Sequence, residues 1–232
     1  MYTLFKGGDF TICSNYRPIT LLNVQYKLFM KILTYRITTM LERTNTLTNT
    51  QGGWRKGRST HQKIKTLISA IEDSIENNKP IHIAYIDFSK AYDTVSHSYL
   101  KKTLSELGFD DNLVNLVNEM QVGNQCEVIT PYGNTEPYSV GRGVRQGCPM
   151  SPLLFSLFID PCLRWLERDN GYSIVKGKQK IDISLLAFAD DISILGGSFG
   201  NLKQKWEKMV RFCNASGLMI SNDGKSKDKT VY

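Results

Sequence analysis

Two adjacent aspartates, Asp190 and Asp191, stand between apolar residues in the run LLAFADDISIL at 185–195. Hydrophobic residues on both sides predict an apolar hairpin with two carboxylates at its tip. Neighbouring carboxylates repel, and charge near a core is costly unless a cation compensates it. Oxygen ligands favour Mg²⁺ or Mn²⁺. The pair is therefore a candidate metal site, although Asp-Asp is also a common turn signal.

A third carboxylate, Asp87, ends the run IHIAYID at 81–87, which is typical of a buried strand. The two-residue period places Ile81, Ile83, Tyr85 and Asp87 on one face, so we expect the carboxylate to share a face with apolar core residues. If this strand lies beside the hairpin, three carboxylates converge. Such a cluster suits a site for two metal ions that catalyses phosphoryl transfer. The alternative for Asp87 alone is a turn residue at the end of a strand.

Five motifs in order carry a resemblance to a known family. They are NYRPITLL at 15–22, QGGWRKGRST at 51–60, DFSKAYD at 87–93, GVRQGCPMSPLLF at 143–155 and FADD at 188–191. Together they resemble the reverse transcriptase domain of non-LTR (LINE-type) retrotransposons, from about Phe5 to Lys227. The resemblance implies an RNA-directed DNA polymerase that extends a DNA or RNA primer with dNTPs on an RNA template.

The resemblance assigns the catalytic and metal-binding positions. It places two Mg²⁺ ions, with Mn²⁺ as an alternative, on Asp87, Asp190, Asp191 and the backbone carbonyl of Phe88. It also matches Lys225 to a lysine that protonates departing pyrophosphate. One extra residue between Gly217-Leu218 and this lysine departs from the family pattern, so the match at Lys225 is the weakest of the set.

The resemblance also assigns the substrate contacts. Nucleotide binding falls to Arg17, Tyr92, Gln146 and Gly147. Tyr92 would lie under the incoming sugar and collide with a 2′-hydroxyl, which selects deoxynucleotides. Without the resemblance, Tyr92 would be an ordinary half-buried tyrosine and Arg17 a surface arginine on a loop.

Nucleic-acid binding is predicted for Trp54, Arg55, Lys56 and Arg58, and the resemblance implies that Arg145 lies near template or primer. An aromatic residue among cations suits contacts to phosphates and stacked bases, and a solvated basic loop is the alternative. Charge placement supports the first interpretation. Residues 1–65 hold eleven Lys or Arg against Asp9 and Glu42, a net +9, which leaves −2 for the rest of a chain whose total is +7. A basic track leading to an acidic centre is typical of an enzyme that binds a polyanion.

The elements that must position these residues follow from periodicity. Helical stripes run over 22–41 and 64–75, followed by the Asp87 strand and short helices near 99–107 and 112–121. A hairpin spans 126–140, and a helix begins at Ser151, which Pro161 should kink or end. Strands near 173–175 and 181–188 lead into the Asp190 turn, and a helix covers about 201–215.

This order predicts an α+β fold, with strands that carry carboxylates and helices packed behind them. The resemblance sharpens it to a right-hand polymerase with an antiparallel palm sheet. Fingers would occupy residues 1–80 and the palm 81–232, with part of the fingers returning within 108–145. The thumb is expected to be absent.

Composition limits the setting. Five widely spaced cysteines without a C-x-x-C pair support neither a zinc site nor a disulfide framework. No apolar run approaches the ~18 residues of a membrane span, and the first residues do not resemble a secretion signal. We expect an intracellular protein without a membrane partner, acting in the nucleus at a genomic target or in the cytoplasm. The sequence leaves the oligomeric state open.

Two other functions remain open. One is a catalytically silent reverse-transcriptase fold that serves as an RNA-binding scaffold, although such relatives tend to lose metal carboxylates and all three are present here. The other is a group II intron maturase core, chemically the same enzyme in another element. The residues of the motifs at 15–19 and 147–152 resemble those of the retrotransposon family more than those of the maturases.

Overall fold

The computed structural model describes residues 1–221 of the 232-residue chain, apart from the side chain of Lys176. The predicted proton donor Lys225 lies outside these residues. In chain order the elements are β1 (Tyr2–Phe5), β2 (Tyr16–Ile19), α1 (Val24–Arg43), α2 (Thr60–Glu76), β3 (His82–Ile86), α3 (His97–Glu106), α4 (Asp111–Gln121), β4 (Gln125–Cys126), β5 (Ile129–Thr130), β6 (Gly133–Asn134), β7 (Tyr138–Ser139), α5 (Ser151–Glu167), β8 (Tyr172–Lys176), β9 (Gln179–Ile183), β10 (Leu185–Phe188), β11 (Asp191–Gly196) and α6 (Phe199–Ser216).

A three-stranded antiparallel sheet, in the order β10-β11-β3, carries the predicted carboxylates. The register pairs Phe188 with Asp191 and Ile192 with Ile86. The expectation that the Asp87 strand lies beside the aspartate hairpin is therefore confirmed. Alternate residues of the sheet, such as Ile86 and Ile192, belong to the main hydrophobic core, against which α5 and α6 pack.

The opposite face of the sheet is the one that leads to Asp87, and it is more open than the sequence predicted. Ile83 packs into a smaller cluster with Ala70 of α2 and Tyr172 of β8. Tyr85 is 39% exposed. Asp87 therefore follows the face whose Ile81 and Ile83 pack against this smaller cluster. The main core lies on the other face, beneath Ala84 and Ile86. A carboxylate on this open face is less desolvated than one facing the core.

Local signals explain why the helices begin and end where they do. Ser59 caps α2 by accepting from the Gln62 amide, and the Gln62 side chain accepts from the Ser59 amide, which completes a capping box. Gly217 ends α6 in the left-handed conformation, at φ 76°. These caps place the ends of both helices within a few residues of the predicted bounds.

Two element predictions need correction. Helix α5 neither ends nor breaks at Pro161 but continues to Glu167. Most of its residues are buried, and that packing outweighs the roughly 3 kcal/mol cost of an interior proline. The single strand predicted at 181–188 is two strands that separate at Ser184. The Ser184 hydroxyl donates to the carbonyls of Leu166 and Asp169 at the end of α5.

The N-terminal part of the chain packs directly on the catalytic part. Helix α2 contacts β10 and β8, and residues 50–52 pair with Ala187. The predicted division of fingers and palm at residue 80 stays a prediction. Within the part of the chain that the structure describes, no helix combines the length and apolarity needed to cross a membrane.

Candidate active-site cleft

A cleft of about 930 Å³ opens where the carboxylates meet the N-terminal segment. Its walls come from the loop after β3, the β10–β11 turn, the strand β2 and the glycine-rich segment before α5. Most of the predicted site residues that the structure describes line this one space: Arg17, Trp54, Asp87, Phe88, Tyr92, Arg145, Gln146, Gly147 and Asp190.

The three aspartates lie at one end of the sheet. Asp191 begins β11 opposite Phe188, Asp190 stands in the two-residue turn, and Asp87 follows directly after β3. Asp191 is exposed, yet partial desolvation raises its pKa, and the negative charges of Asp190 and Asp87 raise it further. The three groups are thus close enough to influence one another electrostatically.

This arrangement matches the donor chemistry of a hard divalent cation. Asp87 and Asp190 both open into the cleft, and carboxylate oxygens whose charges repel one another are what Mg²⁺ or Mn²⁺ relieves. Among residues 1–221, no three His, Cys, Asp or Glu side chains already stand in the arrangement of a metal cluster. Asp87 and Asp190 are the carboxylates through which this end of the sheet would hold such a cation.

The backbone at Phe88 is oriented by a short antiparallel contact. The Ser89 amide donates to Met219 O at 2.8 Å, and the Ser221 amide donates to Asp87 O at 2.8 Å. Phe88 faces Ile220 across this bridge. The pairing uses the backbone of Asp87 and Ser89, which leaves the carbonyl of Phe88 to the other side of the chain.

The aspartate turn is held by a segment that we name the strap, residues 48–53. Ala189, the first turn residue, has φ 57°, a left-handed conformation that is uncommon for a residue with a side chain. Gln51 of the strap is completely buried. Its amide accepts from the Ala189 amide at 2.9 Å and donates to the Ala189 carbonyl at 3.1 Å. The strap thus binds both the N–H and the C=O of Ala189 through one side chain.

Arg55 anchors the strap and does not face the cleft, which corrects the prediction that it binds nucleic acid. It is 7% exposed and forms a two-pronged ion pair with Glu42 of α1. The same guanidinium donates to the carbonyls of Thr48, at 2.6 Å, and Gln51. Four of its five N–H donors are thus used inside the protein, and the guanidinium is too buried to reach a phosphate in the cleft.

Tyr92 forms part of the cleft wall. Its ring stacks on Phe155 of α5, with centroids 5.2 Å apart and planes inclined by 12°. Burial raises the pKa of the Tyr92 hydroxyl; a hydrogen bond from Trp54 opposes this rise, and the charge of Asp190 adds to it. The Tyr92 hydroxyl therefore lies between Trp54 and Asp190. Stacking on Phe155 holds the orientation of the ring.

The glycine-rich segment before α5 is fixed by close backbone approaches. Gly147 has φ 113°, and a β-carbon there would lie 2.7 Å from the carbonyl of Thr20. The Gln146 side chain donates to Asp93 at 2.9 Å, and its carbonyl accepts from the Thr20 amide. Asp93 thus accepts a hydrogen bond that fixes the Gln146 side chain against the loop after β3.

Arg145 also has internal partners. Its guanidinium donates to the Tyr26 hydroxyl at 2.9 Å and to the carbonyl of Met120 at 2.7 Å, which ties the segment to α1 and α4. It lines the cleft, but much of its donor capacity is used in joining these elements. The predicted contact with template or primer is thus limited to the donors that remain.

Five exposed cations near the site fall into two groups. Arg17, Lys6 and Lys90 line the cleft, whereas Lys56 and Arg58 lie on the surface beyond the strap. Arg58 donates to the Asn49 side chain at 2.9 Å. The cleft group can reach a bound phosphate, and the outer group can reach only a polyanion that runs past the cleft.

Sequence reasoning missed Gln51, Lys6 and Lys90. Gln51 begins the motif at 51–60, whose cations were interpreted as nucleic-acid contacts. The two glycines after Gln51 could have indicated a close approach of two backbone segments. A β-carbon on Gly53 would lie 2.4 Å from the Ala189 nitrogen, so glycine here marks a close backbone approach. Lys90 sits inside the DFSKAYD motif and adopts a left-handed conformation at φ 50°.

Comparison with known proteins gives a consistent result. A family model described as reverse transcriptase (RNA-dependent DNA polymerase) matches residues 5–229. The Pol polyprotein of the type-1 retrotransposable element R2 from Popillia japonica is 32% identical over 93% of this chain and 30% of its own. The uncharacterized 149 kDa protein of transposon TX1 from Xenopus laevis is 29% identical over 93% of this chain and 16% of its own. The chain thus spans less than a third of these relatives.

Among solved structures, a truncated apo telomerase from Candida tropicalis superposes with a TM-score of 0.62 and 15% identity. The match covers 89% of this chain and 40% of the telomerase chain. Identity at this level shows a shared fold. The predicted α+β fold of polymerase type is thereby confirmed.

Proposed function

The chain belongs to the reverse transcriptase family, in the group carried by non-LTR retrotransposons, and on that premise we propose that it is the polymerising part of an RNA-directed DNA polymerase. The observation that supports this most is the cleft itself. It brings Asp87 and Asp190 into one space with an aromatic wall at Tyr92 and cations at Arg17 and Lys90. These are the groups that a nucleotidyl transfer requires.

The metal-binding part of the proposal assigns Asp87, Asp190, Asp191 and the carbonyl of Phe88 as the groups that would hold Mg²⁺ or Mn²⁺. Bound Mg²⁺ would supply the means to lower the pKa of a primer hydroxyl and to neutralise charge on departing pyrophosphate. The chain's own contribution is to hold the carboxylates at the end of a rigid sheet. Lys225 remains a proposed proton donor outside the described residues.

The nucleotide-binding part of the proposal rests on the walls of the cleft. Arg17 and Lys90 would attract the triphosphate, because they are exposed cations on the same space as the aspartates. Tyr92 would lie under the sugar, since its stacking on Phe155 prevents the ring from moving aside. Gln146 and Gly147 form the adjoining wall.

The macromolecular partners proposed are an RNA template and a DNA or RNA primer. Lys56 and Arg58 are exposed beyond the strap and would follow the phosphates of a strand that leaves the cleft, beside Trp54. We propose an intracellular site of action, in the nucleus where priming occurs at a genomic target.

Single-nucleotide addition tests the proposal. The purified chain, in excess over a labelled primer annealed to an RNA template, is expected to add one complementary dNTP when Mg²⁺ is present. Asp190→Asn keeps the shape of the side chain but removes a charge, so addition should fall by on the order of 10³-fold or more. Its melting temperature should not fall, because relief of repulsion with Asp191 offsets any lost contact.

Excess enzyme and a single addition make the assay independent of processivity. Equal addition by Asp190→Asn and the wild-type chain would contradict the proposed chemistry. Binding of the primer–template without any addition by the wild-type chain would favour the scaffold function instead.

A further inference from the structure

We propose that Gln51 is a positioning residue: by clamping the backbone of Ala189, it holds the aspartate turn in the one conformation that aims Asp190 into the cleft beside Asp87. The inference rests on the proposed function, and it adds to it a residue that touches neither nucleotide nor metal. Gln51 would act only through the turn, from the opposite side to the cleft.

Two of the three hydrogen bonds of the Gln51 side chain go to the turn, and the third goes to Gly53 of the strap. The Gln51 Oε1 accepts from the amides of both Ala189 and Gly53, at 2.9 and 2.8 Å, and its Nε2 donates to the carbonyl of Ala189 at 3.1 Å. The side chain is fully buried, so water cannot replace these bonds. A buried amide that bonds both the N–H and the C=O of one residue fixes the two peptide groups on either side of that residue, here Ala189.

The turn needs such a clamp because its conformation is strained. The left-handed conformation costs alanine free energy that it would not cost glycine. A residue with a β-carbon keeps this conformation only where contacts with the surrounding structure hold it there. Ala189 at φ 57° has that conformation, and Asp190 follows it directly. Relaxation of Ala189 would rotate the next peptide and move the Asp190 carboxylate away from Asp87.

The clamp is itself anchored to three helices. The Thr48 amide donates to buried Asp160 of α5 at 2.8 Å, and Arg55 joins the carbonyls of Thr48 and Gln51 to Glu42 of α1. Lys63 of α2 donates to the carbonyl of Thr50. The strap is therefore a rigid base against which Gln51 can hold the turn.

Gly52 and Gly53 bring this base close enough to act. The Gly52 amide donates to the Ala187 carbonyl at 2.8 Å, one residue before the tip begins to turn. At Gly53 a β-carbon would collide with the Ala189 nitrogen. The absence of side chains at both positions thus allows the strap backbone to lie against the hairpin.

Gln51→Met tests the proposal because methionine has a similar size and shape but offers neither bond. In the full 232-residue chain we expect Mn²⁺ to bind on the order of 10-fold more weakly, since only a fraction of turns would be correctly formed. Hydrogen exchange of a peptide covering 185–194 should accelerate by a similar factor. In primer extension, kcat should fall while the KM for dNTP changes little.

Ser184→Ala is the matched control. It removes a buried hydroxyl whose proton is shared between the carbonyls of Leu166 and Asp169, at the other end of the same hairpin, so it should cost stability without reaching the tip. A lower melting temperature in both variants, with weaker Mn²⁺ binding in Gln51→Met alone, supports positioning. If Gln51→Met destabilises the chain yet binds Mn²⁺ as tightly as Ser184→Ala does, the role is structural and the proposal is wrong.

A second variant covers the case in which Gln51→Met does not fold. Gln51→Asn keeps a neutral amide but is shorter by one methylene, so it cannot hold both the amide and the carbonyl of Ala189 at hydrogen-bonding distance. Exchange at the tip should then rise by a smaller factor, and unchanged exchange would contradict the clamp. If the wild-type chain extends no primer, the proposed function fails, whereas the Mn²⁺ and exchange measurements still decide the clamp.

Discussion

Two hairpins lie side by side in the chain and turn in the same way, yet they are stabilised differently. Strands β8 and β9 turn through Gly177 and Lys178, and strands β10 and β11 turn through Ala189 and Asp190. The first turn residue has nearly the same φ in both, 60° at Gly177 and 57° at Ala189. A β-carbon at Gly177 would meet nothing within 4 Å, whereas Ala189 is buried under the strap.

The difference shows that a left-handed turn residue can be stabilised either by its own type or by hydrogen bonds from a distant residue. The β8–β9 turn adopts its shape because glycine permits it, and no other part of the protein is required. The β10–β11 turn has nearly the same φ at its first residue with an alanine there, and the hydrogen bonds from Gln51 stabilise that conformation. A turn that carries metal-binding carboxylates thereby depends on the rest of the fold for its geometry.

The largest effect that separates the two hairpins is expected from adding one methyl group near each. Gly53→Ala places a β-carbon 2.4 Å from the Ala189 nitrogen, so the strap or the turn must move. Misplacement of a catalytic group by about 1 Å costs on the order of 100-fold in rate. Single-nucleotide addition should fall by about that factor.

Gly177→Ala is the counterpart on the open hairpin. The left-handed conformation costs alanine about 1 kcal/mol of unfolding free energy, measurable by denaturant titration. Addition should be unchanged. Equal losses of addition in the two variants would show that both turns act only through overall stability, and the comparison would fail.

A second test examines the cleft that the clamped hairpin faces. Tyr92→Ala removes the ring that stacks on Phe155 and opens space where a sugar would lie. The ratio of kcat/KM for a ribonucleotide to that for the matching deoxynucleotide should rise on the order of 10- to 100-fold. Tyr92→Phe keeps the stack and should keep the ratio. A ratio that does not change in Tyr92→Ala would mean that Tyr92 only packs.

The smallest effect compares surface cations near the strap with those on the open hairpin. Lys56 and Arg58 are exposed beyond the strap, and their replacement by alanine should remove up to two phosphate contacts. The slope of log K against log salt for RNA binding should become shallower by roughly 0.7–0.9 per contact. Lys178 and Lys180 of the open hairpin are the control pair. An equal change of slope in both pairs would contradict a basic track beside the strap.

Residues whose partners are close in sequence, or whose pattern is periodic, were predictable. The capping box of Ser59 and Gln62 lies within one turn of helix, and it fixes where α2 begins. The alternating pattern at 81–87 placed Asp87 at the end of a strand, and two apolar runs placed Asp190 at a tip. The pairing of this strand with the hairpin was a condition in the sequence, and the register of β11 and β3 supplies it.

What the sequence did not disclose depends on distant partners. Arg55 is one basic residue among several in its motif, and only the fold shows that Glu42 neutralises it. Gln51 is separated from Ala189 by most of the chain, so no local pattern links them. Pro161 lies inside α5 despite the low helix propensity of proline, because burial of most residues of α5 stabilises the helix.

Binding of Mn²⁺ to the apo chain tests the central claim most directly, because it asks whether Asp190 and Asp87 act as one site without requiring substrate. In an EPR titration, Asp190→Asn and Asp87→Asn should each weaken binding by on the order of 10-fold or more. Asp111→Asn, which removes one exposed carboxylate at the start of α4, should leave it unchanged. The charges of Asp190 and Asp87 raise the pKa of Asp191, so either cleft variant should also lower that pKa in an NMR titration. Binding that is the same in all three variants, with the Asp191 pKa unmoved, would contradict a shared metal site at the end of the sheet.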